Sequence, residues 1–228
     1  MRFKSGLIIG VFGLVVVILG DFYFAIGITV LTYFALLELF RMAEFTGIKP
    51  ATKTTLFSCF ILIISTYLEL KGIIGEEISN AILPISSIGI CTWLLLQPKP
   101  GKISDIATSI FGLFYLGFLP SYWIRLRELD SIFIGSNYQG NGFSDLGYIS
   151  GFNITLISCL IIVSSDIGSY FFGKIFGKKS LSPISPSKTV EGLIGGIFCS
   201  ISTGILFTYL FNWNNYLIIG IVFGIIIS

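Results

Sequence analysis

No histidine occurs in the 228 residues, and charged residues make up only 11% of them. The first absence rules out Ser-His-Asp and Cys-His nucleophile chemistry. The second leaves too few charges to coat a soluble surface, since soluble domains carry roughly 25%. Cysteine is sparse as well: Cys59, Cys91, Cys159 and Cys199 each lie inside an apolar run, and none forms a CxxC pair. Without histidine or paired cysteines a zinc site is not expected, and the four thiols read as small buried hydrophobes. A net charge of +2 is too small to suggest nucleic acid as a partner. Any catalysis must rest on carboxylates, lysines, backbone groups and a bound metal.

What is abundant is apolar sequence, 54% of the chain, in runs that approach the ~20 residues a spanning helix needs. Runs broken by charge, Pro or Gly give eight expected spans: Ser5–Gly20, Phe22–Phe40, Thr55–Leu70, Ile78–Leu96 (with Pro84 as a kink), Ile103–Ile124, Leu146–Phe172, Val190–Phe211, and one from Tyr216 to Ser228. Asp21 marks a tight turn between the first two, and Asp166 falls in the last turns of the sixth. With the N-terminus in the cytoplasm, Arg2, Lys4, Arg41, Lys49, Lys53, Lys99, Lys102, Lys174, Lys178, Lys179 and Lys188 lie inside, 11 of the 14 Lys and Arg residues. Lys71, Arg125 and Arg127 lie outside, with Glu69, Glu76, Glu77, Glu128, Asp130 and Asp145. That split follows the positive-inside rule. The fold expected is all-α: a polytopic integral membrane protein of about eight transmembrane helices, the last cut short. Residues 1–228 form one transmembrane domain, with N-terminal helices and an outer loop in 1–145 and a partial catalytic part in 146–228. Trp93, Trp123, Trp213 and Tyr216 fit an aromatic belt.

Three features can carry chemistry. Asp166 follows a long apolar run, and a carboxylate near the membrane interior costs ~2.5–3.5 kcal/mol on insertion scales, so it ordinarily faces a polar cavity, a partner or a metal. It can also snorkel or cap at the interface. The stretch Gly173–Thr189 reads as a basic loop in which Lys174, Lys178, Lys179 and Lys188 stand among glycines and hydroxyls suited to phosphate. The alternative is a positive-inside loop resting on anionic headgroups. Finally, Ser187 or Thr189 can cap the seventh helix, with Glu191 in its first turn; the same helix start, with Lys188, can face a phosphate. Gly192, Gly195 and Gly196 read as close helix packing.

The segment SSDIGSYFFGKIFGKKSLSPISPSKTVEGLIGG resembles the phosphatidate cytidylyltransferase (CDP-diacylglycerol synthase) family. That family has an Asp-x-Gly-Ala-Tyr-Phe-x-Gly-like stretch, a basic loop, then Ser-Pro-x-Lys-Thr-x-Glu-Gly. Asp166, Gly168, Tyr170, Phe171, Gly173, Lys174, Gly177, Ser185, Pro186, Lys188, Thr189, Glu191 and Gly192 fit, and Ser169 replaces the commoner alanine. QPKPGKISDIATSIFGLFYLGFLPSYWIRLR is similar to the version in photosynthetic bacteria. The resemblance implies cytidylyl transfer from CTP to phosphatidate with Mg²⁺, in a bacterial inner membrane with the active face cytoplasmic. It implies Asp166 and Lys188 as catalytic groups, Asp166 also as a metal ligand. Tyr170, Lys174, Lys178, Lys179, Ser187, Thr189 and Glu191 would bind substrate, Glu191 by holding a lysine or the loop. Membrane lipid and a second copy in a homodimer complete the expected partners. The family's own signature (Ser-x-x-x-Lys-Arg, Lys-Asp, Pro-Gly-His-Gly-Gly, Asp-Arg-x-Asp) does not occur in the 228 residues. The expectation is therefore a C-terminally truncated member, inactive alone, whose main metal-binding carboxylates lie in the missing segment. A CTP-dependent polyprenol or dolichol-type lipid kinase, a transporter and a scaffold are the alternatives.

Overall fold

The computed structural model describes residues 13–129, 150–182 and 185–228, apart from the side chains of Pro186 and Ser187. Most of the expected first span, the outer loop beyond 129 and the start of the sixth span at Leu146 lie outside the described residues. Contacts divide the chain into two compact units, Met1–Ser136 and Asn137–Ser228.

The first unit is helical. A helical stretch at 13–19 precedes α1 (Asp21–Phe45), α2 (Thr52–Leu70) and α3 (Glu76–Leu95). A long span, Ile103–Arg127, then runs as α4 (Ile103–Gly112), a π-helical segment (Leu113–Phe118) and α5 (Leu119–Arg127). α1 does not stop at Phe40. Arg41, Met42, Ala43 and Glu44 are sound helix formers whatever their charge, and the helix ends where Gly47 adopts φ +84°. There the N–H of Gly47 bonds the carbonyl of Glu44 and the N–H of Ile48 that of Ala43, a Schellman cap. Gly72 closes α2 in the same way, at φ +70°, through Gly72 N–H to Glu69 O and Ile73 N–H to Leu68 O. α3 continues through Pro84. Leu36, Phe40, Cys59, Leu62, Ile90, Leu94 and Leu113 form the core between these helices.

Polar groups pin the two ends of this unit. At one end buried Asp105 accepts from the backbone N–H of Lys49 and of Lys102, each at 2.8 Å. Ser109 Oγ accepts from Ala51 N–H at 2.9 Å and donates to Asp105 O at 2.7 Å. The two basic connections, 46–51 and 96–102, therefore share one end. At the other end Arg125 forks onto both oxygens of Glu69 at 2.7 Å, and Lys71 reaches Asp21 at 2.8 Å and Glu128 at 3.6 Å.

The second unit contains α6 (Gly151–Phe176), a hairpin of β1 (Ser180–Ser182) and β2 (Ser185–Thr189), α7 (Val190–Leu210) and α8 (Tyr216–Ile227). Hydrocarbon gives helices no hydrophobic reason to associate, so close packing and hydrogen bonds must hold them. Gly192, Gly196, Ser200, Gly204 and Thr208 recur every fourth residue along α7, and all are buried. Against this stripe α6 brings Gly168: a Cβ there would lie 2.6 Å from Cys199 Sγ and 3.0 Å from Gly195 O. α8 contributes Gly220 and Gly224. Ser200 donates to Gly224 O at 2.9 Å and Thr208 to Tyr216 O at 2.9 Å. Trp213 is 3% exposed and packs edge-on to Phe223. Cys59 is buried, and the other three thiols are partly buried.

Among the described residues six helices are long and apolar enough to cross a membrane, with α8 as a shorter apolar helix. The protein is an all-α polytopic membrane protein, carrying one small hairpin that the apolar pattern did not announce.

Candidate functional site

α6 does not end at Phe172. It runs on to Phe176, because Gly173 is a packing residue here. A Cβ at Gly173 would sit 3.0 Å from Thr189 Oγ1, and one at Gly192, on the facing helix, 2.8 Å from Ser169 O. This corrects the placement of Asp166, which lies ten residues before the end of α6, or ~15 Å along the axis. It is an interior position of the span, exposed on the surface of its unit.

Asp166, Tyr170 and Lys174 are spaced by four residues and so share one helix face. All three are exposed, and Lys174 Nζ lies 5.9 Å from the centre of the Tyr170 ring. The stripe leads from a carboxylate inside the span to a cation near the helix end. This arrangement was readable from the sequence as an i, i+4, i+8 spacing.

Past Gly177 the expected basic loop is largely the β1–β2 hairpin, paired antiparallel with Ser180 opposite Thr189 and Ser182 opposite Ser185. Thr189 serves as the N-cap of α7, its Oγ1 accepting from Gly192 N–H at 3.1 Å; the Ser187 side chain is outside the described residues. Glu191 holds the connection: its Oε2 accepts from the backbone N–H of Lys178 at 3.2 Å and of Lys179 at 3.4 Å. The carboxylate at the start of α7 thereby fixes the segment that carries two lysines. Lys178, Lys179 and Lys188 are exposed, and among the described residues none of them pairs with Asp166. The structure brings Asp166, Tyr170 and Lys174 onto one stripe. It ties Lys178, Lys179, Thr189 and Glu191 into a second cluster around the hairpin.

No group of three or more metal-ligating side chains occurs among the described residues. Asp166, with Ser165 before it and Ser169 donating to its carbonyl at 3.0 Å, offers a single carboxylate. That fits the manner in which Mg²⁺ is ordinarily held, by one or two carboxylates plus phosphates and waters.

An apolar helical unit whose longest helix carries Asp166 and leads into a connection and hairpin bearing lysines defines a polytopic membrane protein. The model of the cytidylyltransferase family matches residues 1–228, and the chain belongs to that family. It is similar to a phosphatidate cytidylyltransferase of Synechocystis sp., 37% identical over 219 residues covering 92% of this chain and 73% of that one. It is 29% identical to the Bacillus subtilis phosphatidate cytidylyltransferase over 90% of this chain and 70% of the other. Identity to the chloroplastic phosphatidate cytidylyltransferase 5 of Arabidopsis thaliana is 28%, over 99% of this chain and 58% of that one. No solved structure matches.

Proposed function

We propose that the protein is a CTP:phosphatidate cytidylyltransferase. A phosphate oxygen of phosphatidate attacks the α-phosphorus of CTP, pyrophosphate leaves, and CDP-diacylglycerol forms. The observation that carries this reading is the Asp166–Tyr170–Lys174 stripe, which leads into the connection with Lys178 and Lys179 and the hairpin strand with Lys188. Such a transfer needs no covalent intermediate on the protein. It needs charge neutralisation and alignment of two phosphates, which suits a chain without histidine. Lys174 and Lys188 are assigned to the phosphates of CTP or phosphatidate, with Lys178 and Lys179 supporting them. Tyr170 lines the stripe and steadies Lys174, while Thr189 and Glu191 hold the hairpin. Ser187 is assigned to the same phosphate end. Asp166 would be one ligand of a Mg²⁺ ion, which when bound would neutralise phosphate oxygens. A partial catalytic part is assigned to 146–228, and the hairpin and the connections 46–51 and 96–102 to the cytoplasmic face of a bacterial inner membrane. A homodimer is the proposed assembly.

Label position in CTP tests the reaction. Membranes containing the protein are supplied with phosphatidate and CTP labelled at either the α or the γ phosphorus. Cytidylyl transfer puts the α label into lipid and leaves the γ label in pyrophosphate. Lipid that takes up the γ label instead identifies a CTP-dependent kinase. Uptake into vesicles without label transfer identifies a transporter.

A further inference from the structure

An open groove of about 460 Å³ lies between the end of α1 and the start of α4. Leu39, Met42 and Ala43 line it from one side and Ala107, Thr108 and Phe111 from the other, with Thr46 among them. These residues are remote in sequence from the Asp166 stripe and belong to the other unit. On membrane-spanning helices an apolar groove of this kind faces lipid.

Its surroundings are charged in one particular way. Asp105, next but one to Ala107, is 6% exposed. Its two oxygens are engaged by the N–H groups of Lys49 and Lys102 at 2.8 Å. The acid therefore fastens the backbones of two lysines side by side, three residues beyond Thr46 and five before Ala107 of the groove, while its own oxygens are occupied by amides. Both lysine side chains are exposed, and neither makes an ion pair among the described residues. Arg41, Lys53 and Lys99 add positive charge at this end, against Glu38 and Glu44.

We propose that this groove is a binding site for an anionic glycerophospholipid. One acyl chain lies between α1 and α4, and the headgroup phosphate lies against Lys49 and Lys102. Apolar lining and paired cations at one end match the two halves of such a molecule, and the cations set it apart from a zwitterionic lipid. The proposal does not depend on the transfer reaction and stands or falls without it.

The test uses the purified protein in neutral detergent, titrated with dioleoyl phosphatidylglycerol or dioleoyl phosphatidylcholine while the thermal midpoint is followed. Phosphatidylglycerol is not a substrate of the proposed reaction, so the readout is binding alone. Phosphatidylglycerol should raise the midpoint of the native protein and phosphatidylcholine should not. Lys49→Gln combined with Lys102→Gln should weaken the apparent affinity by about tenfold. Ala107→Trp, at an exposed position, should fill the groove and abolish the shift, and Thr108→Phe provides a second obstruction should that variant fold poorly. An equal response to phosphatidylcholine, or a native-like phosphatidylglycerol affinity in both the lysine and the groove variants, overturns the proposal. So does a change of oligomeric state caused by Ala107→Trp, which would make the occupant a second copy of the chain.

Discussion

Lys174 Nζ stands 5.9 Å from the centre of the Tyr170 ring, one turn along α6. An exposed cation–π contact contributes about 0.5–1 kcal/mol. Tyr170→Ala should therefore raise the KM for a phosphate-bearing substrate by roughly two- to fivefold. Tyr170→Phe should leave it near the native value, because the ring face is kept. Steady-state kinetics in mixed micelles checks both.

Glu191 receives the backbone N–H groups of Lys178 and Lys179. Glu191→Gln keeps a carbonyl acceptor at that point, whereas Glu191→Ala keeps none. Activity should fall in the order Glu, Gln, Ala, and the alanine variant should be cleaved faster by trypsin at the released lysines. Equal trypsin sensitivity in all three proteins would separate any loss of activity from a role in holding the hairpin.

A Cβ at Gly168 would stand 2.6 Å from Cys199 Sγ and 2.7 Å from its Cβ. Gly168→Ala should destabilise the protein by about 1–3 kcal/mol, the usual range for overpacking. Adding Cys199→Gly removes both of those atoms and should recover part of the loss, though Gly195 O at 3.0 Å remains. Thermal midpoints of the single and double variants give the coupling.

These contacts mark what was and was not legible in the chain. The spans were legible because apolar length is a property of the local sequence. Their ends were less so. Arg41 and Glu44 looked like a boundary, yet they carry α1 on to the glycine that can take positive φ. Gly173 looked like the start of a loop, although its missing side chain is what admits Thr189 and keeps α6 packed. The hairpin has strands of three and five residues, short and rich in Ser and Pro, so it offers no alternation to read. Asp166, Lys174, Lys178, Lys179 and Lys188 were visible as chemistry. Their division into a helix stripe and a hairpin cluster was not, because it depends on where α6 ends. Asp105 carries no such signal, since a carboxylate beside lysines looks like ordinary surface until its burial is seen.

Glu69 and Arg125 meet across 56 residues of sequence, with the Glu69 side chain 6% exposed. Removing the fork leaves a nearly buried carboxylate without its partner. Arg125→Ala should cost about 2–3 kcal/mol. Arg125→Lys should recover little of this, because an ammonium cannot span both oxygens. Chemical denaturation in micelles provides the comparison.

Lys71 is held charged beyond its ordinary range, chiefly by its hydrogen bond to Asp21, with Glu128 adding to the effect against some desolvation. A raised folded-state value means that the contribution to stability is fully present below the unfolded lysine pKa of about 10.4 and lost as pH rises through the folded value. The thermal midpoint should therefore decline above about pH 10, and less steeply in Lys71→Met. Parallel profiles for the two proteins would count against any contribution from Lys71.

The π-helical segment Leu113–Phe118 lies midway between Asp105, which fastens one end of its span, and Arg125, which fastens the other. A π turn holds one residue more than an α turn. Because that turn already holds the extra residue, loss of a single codon there lets it close as α-helix and leaves Arg125 facing nearly as before, whereas the same loss in α4 or α5 turns Arg125 by about 100° relative to Asp105. Insertion into the bilayer and the matching of charges across the bundle are thus written in different units, one in length and the other in angle. A one-residue deletion in α4 or α5 spares the first and undoes the second, and the π turn is the one stretch of this span where both survive.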